Sequence, residues 1–372
     1  MVFKSQNSES AQLKALLKIT RAISKVRDLH TLITLLASET SSVLKVERST
    51  VFLYSAKTDE LWSYVAEGES QEIRFNASQG IAGSVFRNRK TLILQDVGGD
   101  DRFNQSIDET TGFITRNMIT APIINPSGDC IGVFQVINKK DGAFTDGDAE
   151  FLEIVAADTA VTIENVRLLE SRKRMFESLI KTLTVSIEAR DPLTAGHSFD
   201  VTFLSSKIAD YLGIDPKTRE AIYYAALLHD YGKLAVPDSI LKKPGKLSMD
   251  ETAILRKHVQ HTRIMLSSIE FEGSLEMVPV FASQHHERPD GNGYPDGLKG
   301  EEISIGGRII AVADVFEALT AKRHYRHPYP LKKTLNLMLS NIGTQFDRKA
   351  LLALRQYFID IGKVTEEEVP VE

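Results

Sequence analysis

Histidine is unevenly placed in this chain. Of nine histidines only His30 lies in the first half; His197, His229, His258, His261, His285, His286, His324 and His327 follow. His229 is joined to Asp230 at the end of an expected helix, and His285-His286 end another. Neutral imidazole and carboxylate both ligate borderline-to-hard divalent metals, and a carboxylate can bridge two ions through its two oxygens. A His-Asp dipeptide alone reads equally well as a helix-terminal pair. Asp314 sharpens the reading, because it sits in the apolar run Ile309–Phe316 (IIAVADVF). Burying a carboxylate there without a partner costs several kcal/mol, so a cation or an arginine must answer it. The histidines still without assigned partners favour a metal, with His197 in Gly196-His197-Ser198 and His258 on a predicted helix as further donors.

These side chains must be brought together by the elements around them. The second half reads as helices over Phe199–Leu212, Pro216–Leu228, Ser248–Leu266, Leu275–Gln284, Gly306–Ala321 and Pro330–Ile342, with Gly213 as a stop signal. No strand pattern competes, so this half is expected to be all-α. The first half differs. Residues 10–45 carry apolar positions at helical spacing. Ser49–Tyr54 and Leu61–Ala66 read as a strand hairpin, Met118–Ile124 and Cys130–Asn138 as a second, and Ile73–Phe75 and Thr91–Leu94 as short strands. Gly80–Phe86 reads as a short helix. Mixed strands and helices over about 150 residues suggest an α+β sensor-like domain. Between the halves, Asp146 to Arg190 is helical in pattern, ended by Asp191-Pro192. Ile154, Val161, Leu168 and Met175 recur every seven residues, with Val155, Leu169, Phe176 and Leu183 alongside. That spacing suggests a helix packing on a second copy of itself, or one lying on its own domain.

Composition excludes other classes. The chain has 372 residues, is 42% apolar and 26% charged, and carries a net charge of −5. Two or three globular domains are expected, and nothing asks for a nucleic-acid duplex. The one cysteine, Cys130, excludes intrachain disulfides and thiolate metal sites, and reads as a buried apolar residue. No apolar run is long enough to span a membrane. A soluble, cytoplasmic protein is expected.

Residues 12–168 resemble the GAF family of small-molecule and regulatory domains, through Gly132-Val133-Phe134-Gln135-Val136-Ile137-Asn138-Lys139, then Phe144-Thr145-Asp146 and Asp148. The resemblance implies an unknown effector, or none, and dimerisation. Residues 176–350 resemble the HD superfamily of metal-dependent phosphohydrolases, through His197, His229-Asp230 and Asp314. Its HD-GYP branch is matched by His285-His286-Glu287-Arg288-Pro289-Asp290-Gly291-Asn292-Gly293-Tyr294-Pro295, by Leu241-Lys242-Lys243-Pro244-Gly245-Lys246-Leu247 and by Asp314-Val315-Phe316-Glu317-Ala318-Leu319-Thr320. The implied architecture is multidomain: a GAF-like α+β sensor over 12–168, a linker helix over 146–190, an all-α HD-GYP bundle over 176–350, and a C-terminal helix and tail over 351–372. The implied activity is phosphodiester hydrolysis of cyclic di-GMP to pGpG or GMP, with two or three divalent ions, iron or manganese. His229, Asp230 and Asp314 become core ligands with Asp230 bridging. His258, His285 and His286 complete the shell of the second ion, and His197 with Glu188 would hold a third ion. Oxygen and nitrogen donors without thiolate suit iron, manganese or zinc alike.

Lys233 is then placed to meet a phosphoryl oxygen or the leaving group, and Arg323 and Arg326 to grip the second phosphate. Arg288 is a further substrate contact. Tyr294 stacks on guanine or hydrogen-bonds a phosphate, or else belongs to a tight turn that holds the histidine pair. His261 shares a helix face with His258 but is not called for by the resemblance. Asp200 stands where the branch usually carries arginine, and Tyr231 where isoleucine is common. Three functions follow: an effector-gated cyclic di-GMP phosphodiesterase, a broader nucleotide phosphohydrolase, and a non-hydrolytic cyclic di-GMP sensor. A homodimer through the sensor and linker helix is expected.

Overall fold

The structure, a computed structural model, describes residues 29–66, 72–105, 108–109, 112–190, 196–322 and 327–371. The helical pattern before residue 29, the Asp191-Pro192 break, His324, and the expected phosphate contacts Arg323 and Arg326 lie outside these residues. The chain divides into two compact units after Lys173.

In the first unit, six strands form one antiparallel sheet: β1 (Val46–Ser55), β2 (Glu60–Ala66), β3 (Arg74–Asn76), β4 (Leu92–Leu94), β5 (Met118–Ile124) and β6 (Cys130–Lys139). Their spatial order is β3-β2-β1-β6-β5-β4. Alternation along the strands separates two cores. Val51 and Leu53, with Phe134 and Val136, face helix α1 (Leu29–Leu44) and the start of the long helix, meeting Ile33, Leu36, Leu152 and Val155. Phe52 and Val133 point the other way, towards Ala82 and Val85 of α2 (Gly80–Asn88). Cys130, the first residue of β6, is buried, and burial pushes its thiol pKa up.

Helix α3 (Asp146–Arg190) has the full 45-residue length its pattern predicts. Its two heptad series part company. Ile154, Val161, Leu168 and Met175 are 45–60% exposed; in the other series Leu169 is likewise exposed, whereas Val155 is fully buried and Phe176 and Leu183 pack against the second unit's core.

The second unit is helical: α4 (His197–Tyr211), α5 (Pro216–Leu228), α6 (Asp238–Leu241), α7 (Met249–Arg256), α8 (His258–Leu266), α9 (Val278–Ser283), α10 (Ile305–Thr320), α11 (Leu331–Leu339) and α12 (Arg348–Asp360). One core joins them, including Val201, Leu228, Phe281, Ile309, Ile310 and Val312. Leu351 and Leu354 of α12 lie in that same core, so the C-terminal helix begins before 351 and belongs to the bundle. Two expected helices are broken. Ser248–Leu266 splits at Lys257, whose amide bonds Ile254 O at 3.2 Å, one residue short of the α-helical partner. Leu275–Gln284 becomes a 3-10 turn (Gly273–Met277) followed by α9, with Pro279 in the first turn where its missing N–H is tolerated. Among the described residues, no helix is long and apolar enough to cross a membrane.

Candidate metal centre

Helix α5 is started by Asp215, whose side chain accepts from the amides of Lys217 and Thr218, and by Pro216 at its first position. Its buried end delivers His229 and Asp230. There the His229 Nδ1–H donates to Ala226 O at 2.7 Å. The same three-residue look-back recurs twice: His258 donates to Leu255 O at 2.8 Å, and His285 to Ala282 O at 2.6 Å. A carbonyl can only accept, so each ring carries its proton on Nδ1 and turns a bare Nε2 inward. All three Nε2 atoms are buried with no hydrogen-bond partner. The break at Lys257 makes this possible for His258, placing it at the start of α8.

Two carboxylates face these nitrogens. Asp230 Oδ1 lies 3.3 Å from His258 Nε2, and Oδ2 lies 3.4 Å from His229 Nε2 and 3.9 Å from His197 Nε2. The two oxygens thus face different imidazoles, as a bridging carboxylate would. Lys233 Nζ sits 2.6 Å from the same Oδ2. Asp314, on α10, lies 3.2 Å from His197 Nε2 through Oδ1. Three groups have all donor atoms within 4.8 Å of one another: His258, His285 and His286; His197, His229 and Asp314; and His229, Asp230 and His285. His197 shares a donor group with His229 and Asp314.

Burial and charge act in opposite directions here. Burial alone would raise the carboxyls of Asp314 and Asp230. His197 beside Asp314, and Lys233 with His229 beside Asp230, hold both well below the usual carboxylate range. Burial pushes His258, His285 and His286 down, His286 to about 4, so these rings are neutral near neutrality. His197 runs the other way: its burial is outweighed by Asp314 and Glu317, which raise it to about 10, so a cation held by Asp314 would have to displace its Nε2 proton. Neutral imidazoles, ionised carboxylates and orphaned Nε2 atoms in one buried cluster form a donor set suited to divalent cations.

Several supporting residues were not foreseen as site residues. Glu317, three residues after Asp314 and so on the same helix face, bonds His197 Nδ1 and orients its Nε2. Glu287, next to the histidine pair, is buried and accepts from the amides of Asp296 (2.7 Å) and Leu298 (3.0 Å), tying down the loop after it. Gly232 lets the 3-10 turn Tyr231–Ala235 lie against α8: its amide donates to Thr262 Oγ1 at 2.8 Å, and that hydroxyl donates to His229 O at 3.1 Å.

Other expected site residues are placed differently. Both Glu188 oxygens accept backbone amides at 2.8 Å, from Gly196 and Ser198, so Glu188 caps α4 and joins none of the three groups. Arg288 turns to Asp290 within its own loop, at 3.0 Å. Tyr294 lies in the turn that follows the histidine pair and packs on His286. Its amide bonds His286 O at 3.2 Å, and its ring centroid lies 4.8 Å from that of His286. The same ring borders a groove of about 570 Å³ lined by Leu247, Met249, Arg256, Lys257 and Gln260. His261 joins no donor group among the described residues.

Both units match known families in sequence. Residues 174–350 match the HD domain and residues 28–163 the GAF domain. The chain carries a GAF domain followed by an HD domain. It is similar to 3'3'-cGAMP-specific phosphodiesterase 2 of Vibrio cholerae, 36% identical over 57% of this chain and 40% of that protein. It is also similar to the cyclic di-GMP phosphodiesterase response regulator RpfG of Xanthomonas campestris, 37% identical over 52% of each chain. A cyclic di-GMP phosphodiesterase of Thermotoga maritima is 37% identical over 52% of this chain and 53% of its own. The chain spans about half the length, or less, of these curated relatives.

Proposed function

We propose that the chain is a metal-dependent cyclic dinucleotide phosphodiesterase of the HD-GYP kind, opening cyclic di-GMP to pGpG, and on to GMP, under control of its GAF domain. The observation that carries this reading is the set of three buried Nε2 atoms, on His229, His258 and His285, with no partner except the carboxylates they face. His197, His229, Asp230 and Asp314 would hold one ion, and Asp230, His258, His285 and His286 a second. Iron or manganese suits the nitrogen and oxygen donors. Such ions, when bound, clamp a phosphate and lower the pKa of water from about 15.7 toward about 7.

The protein's own part is positioning and charge. Asp230 sets the spacing of the two donor groups. Lys233, held beside Asp230, meets a phosphoryl oxygen or the departing 3′ oxygen. Glu317 fixes the ring of His197. Tyr294 and the neighbouring groove receive a base, with Arg323 and Arg326 as contacts to the second phosphate. The curated relatives are named for cyclic di-GMP or for 3'3'-cGAMP, which supports the dinucleotide class. The test is protein loaded with Fe(II) or Mn(II) and incubated with cyclic di-GMP, with 3'3'-cGAMP in parallel. Formation of pGpG or GMP is expected; no product from cyclic di-GMP would overturn the reading.

The exposed stripe Ile154, Val161, Leu168 and Met175 supports a homodimer through α3. Sedimentation of the full chain is expected to give a dimer, and Leu168→Glu a monomer. A monomeric parent would refute the pairing.

A further inference from the structure

The last two turns of α3 hold three separate pieces of the metal centre. Thr184 Oγ1 lies 3.1 Å from Leu227 O, just before His229. The Glu188 carboxylate takes the Gly196 and Ser198 amides on either side of His197. Arg190 reaches the 3-10 turn that carries Lys233. A guanidinium has five N–H donors in a rigid fork, and every one of them is engaged. Nη1 donates to Lys233 O at 3.3 Å and to Leu234 O. Nη2 donates to Val236 O at 2.8 Å and to Asp238 Oδ1 at 2.7 Å, and Nε donates to that same oxygen at 3.0 Å. The carbonyls of Lys233, Leu234 and Val236 and one carboxylate are therefore fixed by one side chain.

We propose that Arg190 is a positioning residue for the reaction: it locks the turn Tyr231–Ala235 so that Lys233 stays on Asp230 and faces the substrate phosphate. This rests on the phosphodiesterase reading. The clamp also makes the last turn of α3 the place where a displacement of that helix is felt by Lys233 and His197 together. Arginine is required because a lysine has three donors on a point charge and cannot span three carbonyls and Asp238 at once.

The test uses the full-length, metal-loaded protein with Arg190→Ala and the milder Arg190→Lys. Arg190→Ala is expected to lower kcat for cyclic di-GMP about ten-fold or more, with KM and metal content little changed. Arg190→Lys should recover only part of that loss. In a Lys233→Ala background, Arg190→Ala should cost nothing further, because both changes remove one function. Amide hydrogen exchange over residues 231–236 should quicken in both Arg190 variants. An unchanged kcat, an equal additional loss in the Lys233→Ala background, or a loss explained by missing metal would overturn the proposal. If the parent protein hydrolyses no cyclic dinucleotide, the functional reading falls by itself. The exchange measurement then decides the clamp: faster exchange supports it, and unchanged exchange overturns it.

Discussion

Replacing Gly232 by alanine tests the architecture of the site at its tightest point. A Cβ there would lie 1.9 Å from His258 O, 2.4 Å from Thr262 N and 2.8 Å from Thr262 Oγ1. Ordinary contact begins at 3.4 Å, so the turn and α8 must part by about 1.5 Å. Two of the three neighbours are backbone atoms, so no flexible side chain can absorb the clash. Asp230 and Lys233 ride on the turn, and His258 rides on α8. The 3.3 Å approach of Asp230 Oδ1 to His258 Nε2 opens by a similar amount. The hydrogen bond from Gly232 to Thr262 is lost with it. Overpacking of this kind costs about 1–3 kcal/mol of stability, and misplacing reacting groups by about 1 Å costs about 100-fold in rate. Gly232→Ala should therefore fold with a Tm a few degrees lower, bind its metals less completely, and lose about two orders of magnitude in kcat. Steady-state kinetics, elemental analysis and thermal denaturation on one preparation measure all three. A variant with parental kcat and a full metal complement would refute the claim that this contact sets the distance between the donor groups.

Further outcomes follow from other contacts. Glu188→Ala removes the cap of α4 and should cost about 1–2 kcal/mol in chemical denaturation, while metal per chain stays at the parent's value; loss of one ion would make Glu188 a ligand. Glu287→Ala frees the amides of Asp296 and Leu298, so kcat/KM for cyclic di-GMP should fall about ten-fold or more with metal content retained; unchanged kinetics would show that the loop holds itself. Burial, aided by the nearby Glu177 and Glu220, raises the Tyr224 hydroxyl to about 12 from its ordinary 10. The unfolded chain then loses this proton first, so stability should decline as pH rises through 10 toward 12. Tyr224→Phe should flatten that decline in urea titrations, and an identical slope would contradict the assignment.

Much of this was legible in the residues. The helical pattern from Pro216 to Leu228 marks α5, the β-branched and aromatic run Ser49–Tyr54 marks a strand, and a carboxylate among isoleucines marks Asp314 as a partnered group. What escaped was direction. Nothing in the spacing of Ser248–Leu266 shows that a tightened turn at Lys257 aims His258 inward, since helical periodicity continues across it. Glu188 and Arg288 have the right chemistry for a ligand and a phosphate contact. Their placement was decided by nearer competitors: two unpaired amides at the start of α4, and Asp290 two residues away. Local hydrogen bonds of this kind satisfy polar groups before any longer-range role is available to them. Glu317 was visible in the motif after Asp314, but its role depends on α4 crossing α10, which is a tertiary fact.

The central claim is that Asp230 stands between two cation sites built from six other side chains. Anomalous diffraction from crystals of the manganese- or iron-loaded protein tests it most directly. Two peaks about 3.5–4 Å apart on either side of the Asp230 carboxylate are predicted. No peak, or a single ion remote from Asp230, would contradict it.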